Sequence, residues 1–521
     1  MGDLLWSRKR LFTFPLAALR HHAVCLGATG SGKTETLYRC AYGAYKVYRL
    51  QVIYLDAKGE SKRADEKEGD NAARFVATMQ AAGARSIKVF PSSYYNGWQG
   101  TPTELQNRLL AVIDFSESQF YGDVAANAVF LALHTPTTPR NSNHFLENLH
   151  PDRLKESYKD DPRLYERVLR LDKHLLAQVR MRYEVFFNAM RGQLDGELTY
   201  EDADAVYLRV RGFTLRQEAP RLGRFLVYDF MHYIAERRRS GINTLFIIDE
   251  FNALRMREET SVLFEQVRSF GGCIIIASQG YAGLGPNEYA DRILDSTNTY
   301  ILHSCSDPFQ VSKRAGKRFR VETSWTEQND ESHTMRRHIR TRWDWKVPAN
   351  AVMQQDEGQA FWINRGRAQQ TQIVRVSITG QQTAEAWEII HQQEEIQRAK
   401  LESAGKEKQE QEELAKNRET EQPAISASQD STASGASSSS PTVSSTLHVG
   451  KPTRTSKRQS SKSQKQKTTK IAVQSDQNAS STKEKSEAST SSSFSVHPPT
   501  HMQQTDDMLD VVRDNDGPDY L

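Results

Sequence analysis

Residues Gly27–Thr34 read Gly-Ala-Thr-Gly-Ser-Gly-Lys-Thr, between the apolar run Ala23–Leu26 and a helix-compatible run, Glu35–Tyr48. Glycines at these positions let backbone N–H groups turn toward phosphate oxygens, and the start of a helix adds a favourable dipole. A lysine in this motif neutralises the β- and γ-phosphates, and the hydroxyl that follows binds Mg²⁺. The pattern therefore predicts a P-loop that binds ATP and Mg²⁺ through Gly27, Ala28, Thr29, Gly30, Ser31, Gly32, Lys33 and Thr34.

Other short apolar runs predict the sheet to which this loop is attached. Gln51–Leu55, Thr244–Ile248 and Cys273–Ala277 are rich in β-branched residues and do not alternate with polar ones. This is typical of parallel strands that are buried on both faces. The sequence therefore predicts an α/β fold, a P-loop NTPase domain.

Two acidic residues follow the run that ends at Ile248. Acids at the end of a buried strand can be simple caps, but beside a P-loop they suit phosphoryl-transfer chemistry. We predict that Asp249 holds Mg²⁺, directly or through water, and that Glu250 polarises the attacking water.

A glutamine, Gln279, ends the run Ile274–Ser278. Ligands of open α/β sheets lie at the carboxyl ends of the strands, so this side chain is predicted to face the γ-phosphate beside the acid pair. The alternative is a loop glutamine without a role.

The chain is longer than one domain requires. Helical periodicity dominates from Thr103 to Ser240, where Asp161-Pro162 predicts a helix start. We predict a first part of the ATPase domain at 1–102, an inserted all-α domain at 103–240, and the second part of the ATPase domain at 241–380. Within this second part a strand is predicted at Gln372–Ser377, and a charged helix follows at 381–420.

Composition predicts that the last hundred or so residues do not fold. Of the 521 residues only 37% are hydrophobic, and the mean hydropathy is −0.67. Serine runs such as Ser437–Ser440 occupy a tail, 421–521, that cannot bury enough apolar surface to order itself. The net charge of +4 neither requires nor excludes a nucleic-acid partner.

A local basic segment bears on that partner. Between Lys313 and Arg342 nine basic residues stand against four acidic ones, with Trp325, Trp343 and Trp345 in or beside the segment. Arginines and aromatic rings can bind phosphates and stack on bases, although a solvated basic face with core tryptophans fits equally well. The candidate DNA contacts are Lys313, Arg314, Lys317, Arg318, Arg336 and Arg337.

Four motifs together resemble a known family. They are GATGSGKTET at Gly27–Thr36, YLDAKGE at Tyr54–Glu60, FIIDEFNAL at Phe246–Leu254 and IIIASQG at Ile274–Gly280, with a helical insertion between the second and the third. The chain resembles the type IV secretion coupling proteins of bacterial conjugation, which belong to the FtsK and HerA superfamily of DNA-pumping ATPases. The resemblance covers most of the chain up to about Ile378, and the tail matches nothing in the family.

The resemblance implies a RecA-like domain in a homo-hexameric ring that hydrolyses ATP at subunit interfaces and translocates DNA. Such a ring passes single-stranded DNA with its relaxase to a secretion channel and contacts the relaxosome, and double-stranded DNA is a further possible partner. Carried onto this chain, the catalytic residues are Glu250, Gln279 and Arg268, the last in the segment Glu265–Gly272.

One feature departs from the family, whose members usually begin with transmembrane helices. Only 26 residues precede the P-loop, so we expect a cytoplasmic protein, peripheral at the inner face of the bacterial membrane and held there through a partner. A truncated chain and a soluble relative are the alternatives. Two other functions also stay open: a substrate-recruiting adaptor that uses ATP as a switch, and another DNA-pumping ATPase of the same superfamily.

Overall fold

The computed structural model describes residues 18, 21–59, 70–113, 119–201, 203–238, 243–255, 259–327 and 335–420. The strands in these ranges are β1 (Ala23–Leu26), β2 (Gln51–Asp56), β3 (Ile87–Phe90), β4 (Ala205–Arg209), β5 (Thr244–Asp249), β6 (Gly272–Ser278), β7 (Thr299–Leu302), β8 (Lys317–Glu327), β9 (Met335–Trp345), β10 (Gln359–Asn364) and β11 (Arg367–Gln372). The predicted tail, 421–521, lies outside the described residues.

Helices connect and cover these strands. They are α1 (Lys33–Tyr48), α2 (Asn71–Ala82), α3 (Pro102–Val112), α4 (Gln119–Leu133), α5 (Ser142–Asn148), α6 (Pro151–Ser157), α7 (Pro162–Leu169), α8 (Lys173–Met190), α9 (Gly212–Leu215), α10 (Glu218–His232), α11 (Glu259–Ser269), α12 (Asn287–Asp295), α13 (Phe309–Ser312), α14 (Ala349–Met353) and α15 (Gly380–Thr420). A π-helical turn at Tyr233–Arg237 continues α10, and 3₁₀ turns lie at Phe251–Leu254, Tyr281–Leu284 and Lys313–Ala315.

Nine of the described strands form one sheet in the order β11-β10-β7-β1-β6-β5-β2-β4-β3. From β7 to β3 all neighbours are parallel, while β10 and β11 add an antiparallel edge. The four strands predicted from apolar runs, β1, β2, β5 and β6, are side by side at the centre and are buried along their whole length. The prediction of a parallel α/β core is confirmed.

Helices pack on both faces of this sheet, so its central strands have no water-facing side. One face carries a hydrophobic core shared with α1, α2 and the start of α15, and the other carries a larger core shared with α3–α8 and α10. This arrangement explains why the central strands are continuous apolar runs rather than alternating ones.

The end of the predicted helical insertion differs from the structure. The range 103–240 includes β4, which pairs in parallel with both β2 and β3 and is fully buried. Because β4 has only five residues, its sequence pattern is too short to be recognised as a strand between helices. The helical layer that interrupts the sheet therefore runs from α3 to α8, and the chain returns to the sheet before α10.

Apolar residues recur three or four positions apart from Leu164 to Phe186, but they belong to two helices. The first, α7, ends at Leu169, and Asp172 then caps α8 by accepting hydrogen bonds from the backbone N–H of His174 (2.9 Å) and Leu175 (3.0 Å). An aspartate that caps a helix start is a local signal, and it interrupts a periodicity that looks continuous in sequence.

The strand predicted at Gln372–Ser377 lies earlier in the chain, at Arg367–Gln372. The observed β11 precedes it and pairs back onto β10 through a turn at Arg365 and Gly366, whose φ angles are 45° and 73°. A two-residue turn with positive φ at both positions suits a hairpin, and the edge strand that it produces is polar rather than apolar.

The predicted charged helix is present as α15, and it covers the other edge of the sheet. Trp387 and Ile390 are buried against the core, and Gln393 bonds to both the carbonyl of Ile87 (2.9 Å) and the N–H of Val89 (3.0 Å) on β3. The Gln393 side chain thus forms hydrogen bonds that a further strand would otherwise make with β3. This protects the edge strand from pairing with another chain.

Candidate functional site

The P-loop joins β1 to α1 at the carboxyl edge of the parallel strands. Gly30 and Gly32 have φ angles of 80° and 98°, which favour glycine, and the helix starts at the next residue, Lys33. The Lys33 Nζ donates to the carbonyls of Gly27 (2.7 Å) and Ala28 (3.0 Å) and is largely buried. The ammonium group therefore lies across the loop, at the start of a helix, where an anion is bound most readily.

Asp249 ends β5 and faces this loop. Its Oδ2 accepts hydrogen bonds from the hydroxyls of Thr34 (3.3 Å) and Tyr54 (2.9 Å), and its Oδ1 accepts from the backbone N–H of Glu250 (2.9 Å). The predicted hydroxyl and carboxylate ligands of a divalent cation are thus next to each other, although they are far apart in the sequence.

A second carboxylate lies beside Asp249. Asp56 is its direct partner in the β2–β5 register, and Asp56 Oδ2 accepts a hydrogen bond from Tyr207 (2.6 Å). Burial, reinforced by the negative charge of Asp56, raises the pKa of Asp249 to about 6. A cation at this point would favour the ionised form, because an opposite charge at short range offsets the cost of burial.

Glu250 and Gln279 meet at the neighbouring strand ends. The Gln279 Nε2 donates to both carboxylate oxygens of Glu250 at 3.3 and 3.2 Å, and the Lys58 Nζ lies 3.9 Å from Oε1. Glu250 has a φ of 53°, a left-handed conformation that is uncommon for a residue with a side chain. Residues with strained backbone conformations cluster at active sites. Glu250 is such a residue, and it directly follows the candidate metal ligand Asp249.

The structure adds a residue to the site that the sequence reasoning missed. His303 follows β7, is fully buried, and contacts the Thr36 hydroxyl through Nε2 (2.9 Å) and the Gln359 carbonyl through Nδ1 (2.8 Å). Burial, aided by the charge of Lys33, lowers the pKa of His303 to about 4, so the ring is neutral. Because a carbonyl only accepts, Nδ1 carries the proton and Nε2 is left to accept from Thr36.

His303 also packs against Gly27 at the start of the P-loop. A Cβ added to Gly27 would lie 2.6 Å from the His303 Cβ, so only glycine fits there. The signal in the sequence is its position, because His303 directly follows the apolar run Thr299–Leu302, which forms β7 and ends at the same side of the sheet as Asp249 and Gln279.

Arg268 is not at this site within one chain. It is exposed in the last turn of α11. Burial, with the charge of Arg268 acting in the same direction, lowers the pKa of His21 and His22, which directly precede β1. The P-loop and Gln279 follow the other ends of β1 and β6. The seven residues of β6 span roughly 20 Å. Arg268 and the P-loop therefore lie at opposite ends of the parallel strands.

The basic segment forms a turn and a long hairpin. Arg314 pairs with Asp295, which leaves less of its charge for another partner, while the Lys317 Nζ lies 4.8 Å from the centre of the Trp345 ring. Lys317 and Arg318 start β8, whereas Arg336 and Arg337 lie on β9. The candidate DNA contacts are therefore divided between the body of the domain and the hairpin.

Comparison with known proteins bears on the predicted family. Residues 243–357, which contain β5, β6 and the hairpin, match the family model TraG-D_C, described as the TraM recognition site of TraD and TraG. The fold matches the conjugative coupling protein TrwB in its unbound form, with 12% identity, a TM-score of 0.50, and coverage of 70% of this chain and 87% of that one. The resemblance to the type IV secretion coupling proteins is confirmed.

Two further similarities extend this result. TrwB in complex with ADP and Mg²⁺ matches with 14% identity and a TM-score of 0.51, over 71% of this chain and 89% of that one. An uncharacterized protein of Mycoplasma pneumoniae is 32% identical over 98 residues, which are 18% of this chain and 65% of that protein. The chain thus spans less than two thirds of this curated relative, whereas the coupling-protein fold covers most of the described residues.

Within the described ranges, no helix combines the length and the apolar character that a membrane span requires.

Proposed function

We propose that this protein is an ATP-hydrolysing DNA translocase that couples relaxase-bound single-stranded DNA to a type IV secretion channel. The observation that carries the proposal is the convergence of Lys33, Thr34, Asp249, Glu250 and Gln279 at one sheet edge. A cap or loop role for the acids would not require a hydroxyl, two carboxylates and an amide to meet beside a phosphate-binding loop.

The side chains divide the chemistry between them. Thr34 and Asp249 would hold Mg²⁺, which supplies charge to the phosphate oxygens when it is bound. Lys33 neutralises the β- and γ-phosphates. Glu250 would orient and deprotonate the attacking water. Gln279, which donates to both carboxylate oxygens of Glu250, would hold this carboxylate in position and face the γ-phosphate.

The partners follow from the same proposal. The family match over residues 243–357 supports a relaxosome partner, and a homo-hexamer would place a neighbouring subunit against each nucleotide. Attachment to the inner face of the membrane would then come from a partner protein.

Steady-state ATP hydrolysis with and without single-stranded DNA tests the proposal. We expect multiple turnovers that DNA accelerates several-fold, because a translocase couples each hydrolysis event to movement along its substrate. A single turnover without DNA stimulation would contradict the translocase and favour the adaptor that uses ATP as a switch. Double-stranded DNA of matched length serves as the comparison substrate.

Tyr54 gives a prediction about the metal site. Tyr54→Phe removes the hydroxyl that donates to Asp249 Oδ2, so the carboxylate loses the contact that orients it toward Thr34. We expect the apparent affinity for Mg²⁺ to fall about tenfold, as is typical when an outer partner of a ligand is lost. The measurement is a Mg²⁺ titration of fluorescent ADP binding, which does not depend on turnover.

Tyr207→Phe is the matched control. Its ring stacks on that of Tyr54, with centroids 5.3 Å apart, but its hydroxyl donates to Asp56 instead of Asp249. If both variants weaken Mg²⁺ binding equally, the effect comes from the packing of the two rings or from the carboxylate pair as a whole, and the orienting role of Tyr54 is wrong.

A further inference from the structure

The β8–β9 hairpin stands out from the body of the domain. Every residue from Lys317 to Ser324 on β8 is exposed, as are residues 339–343 on β9. In a strand that lies on a core, alternate side chains are buried. Here neither face of the ribbon is covered by the rest of the described chain.

The two faces differ in chemistry. Phe319, Val321, Ile339 and Trp343 share one face, and each is more than half exposed. The Phe319 and Trp343 rings are directly opposite each other, with centroids 5.4 Å apart and planes at 67°. An exposed cluster of large apolar side chains is unfavourable in water and marks an interaction surface.

Arginines dominate the other face. Arg318, Arg320, Arg340 and Arg342 lie there with two acids, Glu322 and Asp344. Glu322 is opposite Arg340, and Asp344 is opposite Arg318 and pairs with Arg342 (Nε to Oδ1, 2.9 Å). Arg320 is directly opposite Arg342. Like charges in a cross-strand pair are destabilising, and Asp344 offsets only one of these two charges, so an anion that lies across the pair would stabilise it.

We propose that this hairpin is a single-stranded nucleic-acid binding element. The backbone phosphates bind Arg320 and Arg342, and a base stacks on the Phe319–Trp343 pair. The proposal rests on the DNA-handling function proposed above, and it assigns DNA contact to residues other than the six candidates predicted from the sequence. Exposed aromatic rings and arginines are the two components of sequence-tolerant single-strand binding.

Both faces are within reach of one strand of nucleic acid. The ribbon is only two strands wide, and the strands of a sheet are about 4.8 Å apart. Long arginine side chains can therefore contact phosphates at the edge of the ribbon while the adjacent base lies on the aromatic face. A protein partner on the apolar face alone would make no use of the four arginines on the other face.

Binding of a fluorescent oligothymidylate to the full chain, measured across salt concentrations, tests the assignment. Arg320→Gln combined with Arg342→Gln should weaken binding at least tenfold and reduce the slope of log affinity against log salt by about 1.4, since each phosphate contact to a single strand contributes about 0.7. Trp343→Ala should weaken binding about tenfold without changing the slope, because stacking releases no counterions.

Arg163→Gln is the matched control, since Arg163 is an exposed arginine on α7. It should leave both affinity and slope unchanged. ATP hydrolysis without DNA should stay at the wild-type rate in all variants, while its stimulation by DNA falls only in the hairpin variants.

The outcomes separate this inference from the proposed function. If wild-type protein binds DNA and the hairpin variants bind it with unchanged affinity and slope, the hairpin assignment is wrong and the translocase proposal stands. If the variants instead change the sedimentation of the protein while DNA affinity is unchanged, the apolar face contacts a second copy of this chain, which also overturns the assignment. If wild-type protein neither binds DNA nor responds to it, the proposed function itself fails.

Discussion

Glu250→Gln is expected to bind ATP normally and to hydrolyse it at least about 10²-fold more slowly, the lower range for loss of a general base. The substitution keeps the size of the side chain and leaves Asp249, Thr34 and Lys33 in place. It removes only the carboxylate that activates water. Fluorescent nucleotide binding and phosphate release, measured on the same preparation, separate the two effects.

Lys33→Ala is the variant with which nucleotide binding and hydrolysis by Glu250→Gln should be compared. Lys33→Ala removes the ammonium group that donates to the carbonyls of Gly27 and Ala28 and that is predicted to neutralise the phosphates, so both binding and turnover should be lost. Glu166→Gln, which changes an exposed glutamate on α7, should be neutral in both assays. If Glu250→Gln loses as much nucleotide binding as Lys33→Ala, the division of roles between these residues is wrong.

The centre of the fold was predictable because burial on both faces leaves an unambiguous pattern. The runs that became β1, β2, β5 and β6 are mostly apolar and fully buried. A polar residue ends or directly follows three of them: Asp56, Asp249 and Gln279. Once parallel strands are assumed, their carboxyl ends meet at one edge. The proximity of Thr34, Asp249 and Gln279 follows from that geometry.

Elements whose environment depends on distant contacts were harder to predict. The strand β4 is recognised only through its pairing with β2 and β3, and β8 and β9 carry alternating side chains although neither face is buried. Tyr54 and His303 act through hydrogen bonds to Asp249 and Thr36, which single-sequence patterns do not contain. Local periodicity therefore predicts the strands that carry the site and misses the residues that hold it in place.

Arg268→Ala is expected to bind ATP normally and to hydrolyse it about 10³-fold more slowly or worse, which is the lower range for an arginine that stabilises a transferring phosphoryl group. Within one chain Arg268 is at the edge of the sheet where β1 and β6 begin, opposite the P-loop. A direct role in hydrolysis would therefore be played at a neighbouring subunit of the proposed hexamer, whose γ-phosphate the exposed guanidinium would contact. An unchanged rate would identify Arg268 as an ordinary surface arginine of α11.

Mixed rings test the trans arrangement directly. Rings assembled from Arg268→Ala and Glu250→Gln subunits contain some interfaces that pair an intact Glu250 with an intact Arg268, so hydrolysis should return although each variant alone is inactive. Sedimentation with one variant labelled establishes that the subunits mix, and equal melting temperatures exclude a folding defect. Confirmed mixing without any return of hydrolysis would show that Arg268 does not act across the interface, because a group that acts in trans is complemented by a neighbour and a group that acts within its own chain is not.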